Sequence, residues 1–221
     1  MKIFLGLILC LIFQVIFLES SFAQLDSNVR EFLENLVNQW PELYLPNFKL
    51  SDTSEDLIYP KWFEGNWLVT SQDIINDSDL IVGNRAKNSE SIGKAIFGDI
   101  LIKVVNDPQS INSQITYLKD DFYIDSRITG RNQIQDDDIF FADELVIQTA
   151  HKPGASRINQ VETISKFQKC SEEILEVDDN SIKPSICGVQ YVASYGSKVG
   201  DPSIHAIKTN KYKLTFESIE S

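Results

Sequence analysis

The sequence predicts a mainly β protein: an antiparallel up-and-down β-barrel preceded by one N-terminal amphipathic helix. Three observations point there. From Trp62 onward, apolar residues recur at every second position in about nine segments, the period of a strand with one buried face. Turn-forming runs such as Asp107-Pro108, Lys119-Asp120-Asp121 and Lys152-Pro153-Gly154 separate those segments. No long segment of helical period lies between them, which argues against parallel βαβ units. Consecutive antiparallel strands close most simply into a barrel, which leaves no exposed edge, and a sandwich is the second choice.

Composition sets the outer bounds. The chain has 221 residues, 43% hydrophobic and 24% charged, the balance of a globular protein. It carries 20 Lys+Arg against 32 Asp+Glu, a net charge of −12. Without a basic stripe, that acidity argues against a nucleic-acid partner. His151 and His205 are the only histidines and Cys10, Cys170 and Cys187 the only cysteines. A His- or Cys-built metal site is therefore not expected, and nothing calls for a cofactor.

Residues 1–23 read as a secretory signal. Lys2 supplies the positive start, Ile3–Leu18 is almost unbroken apolar, and Ser21-Phe22-Ala23 has the form of a cleavage site. The apolar run is shorter than the ~20 residues that span a bilayer, so cleavage after Ala23 is expected and no transmembrane span remains. Cleavage removes Cys10 and leaves Cys170 and Cys187 as a pair in an oxidising compartment. A disulfide between them is expected, worth about 3 kcal/mol in the chain-entropy picture.

Residues 24–60 should form the helix and an extended linker, and residues 61–221 the β-barrel domain. Val29, Phe32, Leu33, Leu36, Val37 and Trp40 fall on one helical stripe. Asp26 or Ser27 can cap it, and Pro41 stops it. A stripe that apolar must dock, most simply on the outside or open end of the β domain. Strands are expected at Trp62–Ile74, Ile100–Val105, Ile115–Leu118, Phe122–Ile128, Ile139–Thr149, Arg157–Phe167, Ile174–Val177, Cys187–Tyr195 and Lys211–Ile219. Only Asn76–Gly98, rich in Asn, Ser and Gly, fits neither pattern, with a short helix expected at Glu90–Phe97.

No pattern in the chain marks a catalytic nucleophile, so no catalytic residue is assigned. Four side chains are candidates for ligand binding. On an alternating strand Arg127, Thr129 and Arg131 share a face: if inward, two guanidiniums could converge on a carboxylate or phosphate, or pair with Glu162 on a later strand; if outward, they are a solvated surface, and the outward or Glu-paired reading is favoured. Arg85, in the polar Asn84–Asn88 segment, is a similar candidate at a barrel mouth. Asp136-Asp137-Asp138 and Asp178-Asp179-Asn180 lack the ligand spacing of a calcium loop and read as polar turns. His151 and His205 read as exposed turn or loop residues.

Gly65-Asn66-Trp67 has the G-x-W form found at the start of the first strand in lipocalins and other calycins. Further phrases accompany it: Trp40-Pro41 with Leu45-Pro46, Tyr59–Trp67, Asn84–Asn88, Thr129-Gly130-Arg131 and Asn159–Thr163. Together they resemble a family of exported or lumen-directed cyanobacterial and chloroplast proteins defined by a domain of unknown function. The resemblance covers most of residues 30–168 and implies a calycin-like fold. It also implies that Trp67 plugs the barrel end, with Gly65 letting its ring approach. The stretch between Thr70 and Arg85 is shorter than in that family, as if a strand pair had been trimmed. The implied location is the periplasm or thylakoid lumen, and no chemistry comes with it.

Three functional readings follow. The first is a non-enzymatic extracytoplasmic barrel binding a small apolar ligand such as a lipid, pigment or isoprenoid. The second is an accessory or scaffold protein of a membrane (photosynthetic) complex, working through an exposed apolar patch. The third and weakest is a small hydrolase or isomerase with a pocket built on Arg131 and Glu162.

Overall fold

The computed structural model describes residues 27–43, 55–71, 74–80, 83–170, 186–198 and 201–219. The signal segment, the strand expected at Ile174–Val177 and the turn Asp178-Asp179-Asn180 lie outside them.

Helix α1 (residues 27–38) comes first. A short strand β1 (Ile58–Tyr59), a 3-10 turn (Lys61–Phe63), β2 (Gly65–Ser71) and β3 (Ile74–Leu80) follow. Strand β4 (Gly83–Asn84) leads into helix α2 (Arg85–Phe97) and a second 3-10 turn (Gly98–Ile100). Then come β5 (Leu101–Asp107), β6 (Ser110–Leu118), β7 (Phe122–Gln135), β8 (Ile139–Lys152), β9 (Ala155–Lys169), β10 (Ile186–Lys198) and β11 (Asp201–Ser218).

Nine strands form one antiparallel sheet in the order β3-β2-β11-β10-β9-β8-β7-β6-β5, while β1 and β4 pair apart from it. From β5 to β11 this is the expected meander. The last strand also returns to pair with an early one, since Leu214–Ser218 of β11 lies against Trp67–Ser71 of β2. The barrel nevertheless does not close. Strands β3 and β5 stand at the two ends of the order, and α2 packs against both. The interruption falls within Asn76–Gly98, the one stretch without a clear period.

Pairing registers sort side chains onto two faces. On the inner face Phe63, Trp67, Phe140, Phe167, Ile186 and Phe216 form an aromatic-rich cluster. Residues of β2 and β8 meet in it although three strands separate them, so the sheet curls around it. Phe63 packs edge-on against Phe167 and Phe216 at centroid distances of 5.5 and 5.4 Å, a favoured aromatic geometry. Gly188 makes the packing possible: a Cβ there would lie 2.1 Å from the Phe167 ring.

On the opposite face α1 lays Leu33 and Leu36 against Phe141, Leu145, Ile164 and Tyr191. Trp40 meets the Tyr191 ring at 5.1 Å. The apolar stripe thus docks on the outside of the sheet, as its period demands. Exposed ion pairs, Arg30 with Asp136 at 3.5 Å and Glu34 with Lys166 at 3.4 Å, fringe that contact.

Some boundaries differ from the sequence reading. The first long strand begins at Gly65, because Pro60–Phe63 winds into a 3-10 turn closed by the Phe63 N–H on the Pro60 carbonyl at 2.9 Å. Strand β7 runs seven residues past Ile128, through a bulge at Ile128–Gly130. Helix α2 starts five residues earlier than expected, at Arg85. A strand and a short bridge, β3 and β4, occupy the Thr70–Arg85 stretch.

Candidate functional site

The bulge in β7 decides the fate of the candidate arginines. Before it, Arg127 stands opposite Ile147 and Ile128 opposite Val146. After it, Gly130 stands opposite Leu145 and Arg131 opposite Glu144. One extra residue reverses the phase of the strand. Arg127 therefore projects from the α1 side of the sheet into solvent, while Arg131 turns to the inner face and is buried. The two guanidiniums do not converge on one ligand site: Arg127 takes the outward, solvated place and only Arg131 is inside.

Arg131 sits in a network of carboxylates and a carbonyl, with Nη2 paired by charge and not by a hydrogen bond. Its Nε bonds Glu144 Oε1 at 3.0 Å, and Nη2 lies 3.2 Å from Asp56 Oδ1 and 3.0 Å from Glu144 Oε1. Nη1 donates to the Glu55 carbonyl. Asp56 in turn accepts the Leu57 N–H at 2.9 Å and the Ala86 N–H at 2.7 Å. The second of these is a helix N-terminal donor, so Asp56 caps α2 from a distant part of the chain. Chemically this is a clamp that ties residues 55–57 and the start of α2 to β7 and β8. A guanidinium between two carboxylates is not available to an external anion.

Glu162 lies on the other face. Register pairs it with Leu145 and Ala193, placing it on the side that α1 covers. Arg131 and Glu162 are thus separated by the sheet itself. Neither the expected Arg–Glu pair nor a pocket built on both forms.

Three polar partners gather around Glu162 instead. Asp143 is diagonal to it on β8, Tyr195 diagonal on β10, and Asn132 directly opposite Asp143 on β7. Asp143, Glu162 and Tyr195 are each 0% exposed. The Tyr195 hydroxyl donates to Glu162 Oε2. Both carboxyl oxygens of Asp143, Oε1 of Glu162 and Nδ2 of Asn132 are buried without a hydrogen-bond partner. Unpaired buried polar groups are costly, and charged ones more so. Burial, together with the charge of Glu162, holds the Asp143 carboxyl well above the usual range. Burial raises Glu162 to about 7, against the opposing effect of the Tyr195 hydrogen bond. Burial first, then Glu162, pushes the Tyr195 hydroxyl up. Two neighbouring acids in an apolar setting share protons rather than ionise together.

The other marked residues fall as follows. Arg85 opens α2, and its side chain lies outside the described residues. Gly65 has φ of 154°, and a Cβ there would stand 3.1 Å from the Trp67 ring. Trp67 is buried and donates its indole N–H to the Phe63 carbonyl at 3.1 Å. Both act as packing residues. Cys170 and Cys187 form a disulfide. Asp136 folds the β7–β8 turn by accepting the N–H groups of Asp138 and Ile139, and these bonds lower its carboxyl.

His151 is not a loop residue. It ends β8, stacks on Tyr123 at 4.4 Å, and its Nδ1 is 3.0 Å from Ser156 Oγ across the β8–β9 hairpin. Among the described residues no carboxylate orients the other ring nitrogen, which leaves a cross-strand contact rather than a catalytic dyad. A cleft of about 230 Å³ lies at that end of the sheet, lined by Ile100, Leu118, Lys119, Asp120, Phe122, Lys152 and Pro153.

Sequence reasoning missed Asp143, Asn132, Tyr195, Asp56 and Glu144. A signal for Asp143 existed: it lies in phase between Phe141 and Leu145 on the apolar stripe of β8. Nothing local marks Asp56, whose partners are 30 and 75 residues away.

Among the described residues no group of three or more His, Cys, Asp or Glu is placed to hold a metal ion. No described helix is long and apolar enough to cross a membrane. No family model matches the chain, and neither a curated protein nor a solved structure matches it.

Proposed function

We propose that this is a non-enzymatic extracytoplasmic accessory protein that works by contact with another protein. The observation that carries the reading is an apolar corner on a sheet edge. Ile96 of α2, Ile100 of the following turn and Ile102 of β5 are 59%, 49% and 58% exposed, within seven residues of chain. Val105, further along β5, is also exposed. Strand β5 ends the sheet, with α2 packed beside it, so these side chains sit where a helix meets a sheet edge. Isoleucines scattered singly are ordinary, but a group of them within a few residues at one end of the sheet marks an interaction surface. The disulfide supports an oxidising compartment. The interior supports a scaffold rather than a carrier, since aromatic rings fill one part of it and α2 packs there through Ile92. A family shared with exported cyanobacterial and chloroplast proteins belongs to the same proposal.

The test is a photo-crosslinker placed at position 102 and, as a control, at exposed Gln109, in native membranes. A discrete product at 102 alone, lost in Ile96→Glu/Ile100→Asp, is the expected result. Equal labelling at both positions, or none at 102, refutes the reading.

The cleft beside the corner favours a second reading, a small apolar ligand with an anionic end. Ile100, Leu118, Phe122 and Pro153 give an apolar floor, and Lys119 and Lys152 give two cations. Binding of a medium-chain fatty acid that weakens in Lys119→Ala/Lys152→Ala would support it. Unchanged binding in that variant would dispose of it.

A further inference from the structure

The Asp143–Glu162 pair has no role in the contact surface proposed above, and its surroundings are unusual. The two acids sit in the middle of the sheet face that α1 covers. Asp143 lies between Phe141 and Leu145 on β8, and Glu162 lies opposite Leu145. Those same apolar residues receive Leu33 and Leu36 of the helix. Residue 43, just beyond the helix, is also tied down: its carbonyl accepts the Ala206 N–H at 2.9 Å.

Every element packed around the pair contributes groups to weigh. From α1, Arg30 reaches Asp136 and Glu34 reaches Lys166, while Glu31 is exposed. Strand β7 offers Asn132 and β8 adds Glu144, whose charge further raises Asp143. From β9, Lys166 lies over the Phe141 ring. Strand β10 offers Tyr191 and Tyr195, and β11 offers Lys211 over Tyr191, with His205 beside Ala206. Among the described residues no cation bonds either carboxyl; the Tyr195 hydroxyl donates to Glu162, and the Asn132 amide stands opposite Asp143 and opposes the rise of its carboxyl. Among the described residues the site holds no cation to neutralise two negative charges while the helix is seated.

We propose that Asp143 and Glu162 form a pH-sensitive latch under α1: protonated, they let the helix stay seated, and once both ionise the helix is released. Release offers the ionised pair the water that burial denies it. It also uncovers two apolar surfaces, the Val29–Trp40 stripe and the Phe141–Leu145–Tyr191 face, either of which can bind a partner. The direction is fixed by the chemistry: the latch is shut in acid and opens toward alkaline pH.

Hydrogen–deuterium exchange on the full chain tests this, with each rate divided by the intrinsic rate at its pH. Protection of residues 27–40 should fall about tenfold or more between pH 5 and pH 8 and end far below that of β7, β8 and β9, which remain protected. In Asp143→Asn/Glu162→Gln the helix should be equally protected at both pH values. If that double variant does not fold, Glu162→Gln alone should shrink the fall. Constant protection of the helix in the wild type overturns the proposal. So does a helix as well protected as the sheet at pH 8, which would mean a uniform stability effect and no release. A fall that persists undiminished in the variants overturns it as well.

Discussion

Arg131→Met should be the most damaging single substitution on the inner face. The guanidinium and Asp56 are each 3% exposed at the side chain, and Glu144 is 13% exposed. Removing the cation leaves two carboxylates facing each other with little access to water. Breaking a buried pair from one side costs about 3–5 kcal/mol, because the remaining charge has lost its partner. Asp56 keeps the Leu57 and Ala86 N–H groups, which places the expected loss toward the lower end, about 3 kcal/mol. Arg131→Lys should recover part of it, since an ammonium can pair with one carboxylate but cannot span Glu144, Asp56 and the Glu55 carbonyl together. Urea unfolding followed by circular dichroism gives the values from the midpoint shift at constant slope. Hydrogen exchange should show the first turn of α2 loosening before the strands do. A change within about 0.5 kcal/mol, the range of an ordinary surface substitution, would refute the idea that this network clamps α2 to the sheet.

Glu162→Gln should alter the pH dependence of stability. The folded-state value of about 7 lies above the ordinary 4.5, so the folded form holds its proton more tightly. The associated stability is complete below pH 4.5 and is lost as pH rises through about 7, a change on the order of 3 kcal/mol in urea midpoints. The variant should lose less between those values and be the more stable protein at pH 8; an unchanged slope would count against the burial account. Gly188→Ala drives a Cβ into the Phe167 ring and the Lys166 carbonyl and should cost about 1–3 kcal/mol, seen as a lower thermal midpoint and altered near-ultraviolet dichroism. Reduction of Cys170–Cys187, or Cys170→Ser, should lower stability by about 3 kcal/mol, with reductant having no further effect on the variant. Arg127→Ala should stay within about 0.5 kcal/mol of wild type, because its side chain is in solvent.

Much of the architecture was legible in the residues. The stripe from Val29 to Trp40 has a period only a docked helix satisfies, and the alternation in β8 and β9 needs no tertiary information to be read as strand. What escaped is what depends on distant partners. The bulge at Ile128–Gly130 leaves no mark in the alternation of Arg127, Thr129 and Arg131, yet it moves Arg131 to the other face and undoes the pairing expected of it. Barrel closure escaped for a similar reason. The early start of α2 rests on a cap from Asp56, and a helix placed there stands between β3 and β5. Of the candidate site, Glu162 was found but its company was not. Asp143 broke the apolar phase of its strand, and Tyr195 looked like one more aromatic in an apolar run.

The two buried polar groups differ in a way that bears on how each helix is held. Around Arg131, two carboxylates and a carbonyl face the guanidinium and two backbone N–H groups hold Asp56, so the charges are matched even though Nη2 makes no hydrogen bond. Around Asp143 and Glu162 no cation stands by among the described residues, and three carboxyl oxygens and the Asn132 amide nitrogen are left over. A satisfied network resists opening because every bond lost exposes an unmatched group. An unsatisfied one favours opening, since water supplies what the protein does not. Helix α2, fixed by the first, is therefore part of the framework of the inner face. Helix α1 is held mainly by apolar contact and by exposed ion pairs that contribute little. It lies over buried carboxyls that gain solvation when it lets go. If any element of this fold moves as a unit, the balance of satisfied and unsatisfied groups selects α1.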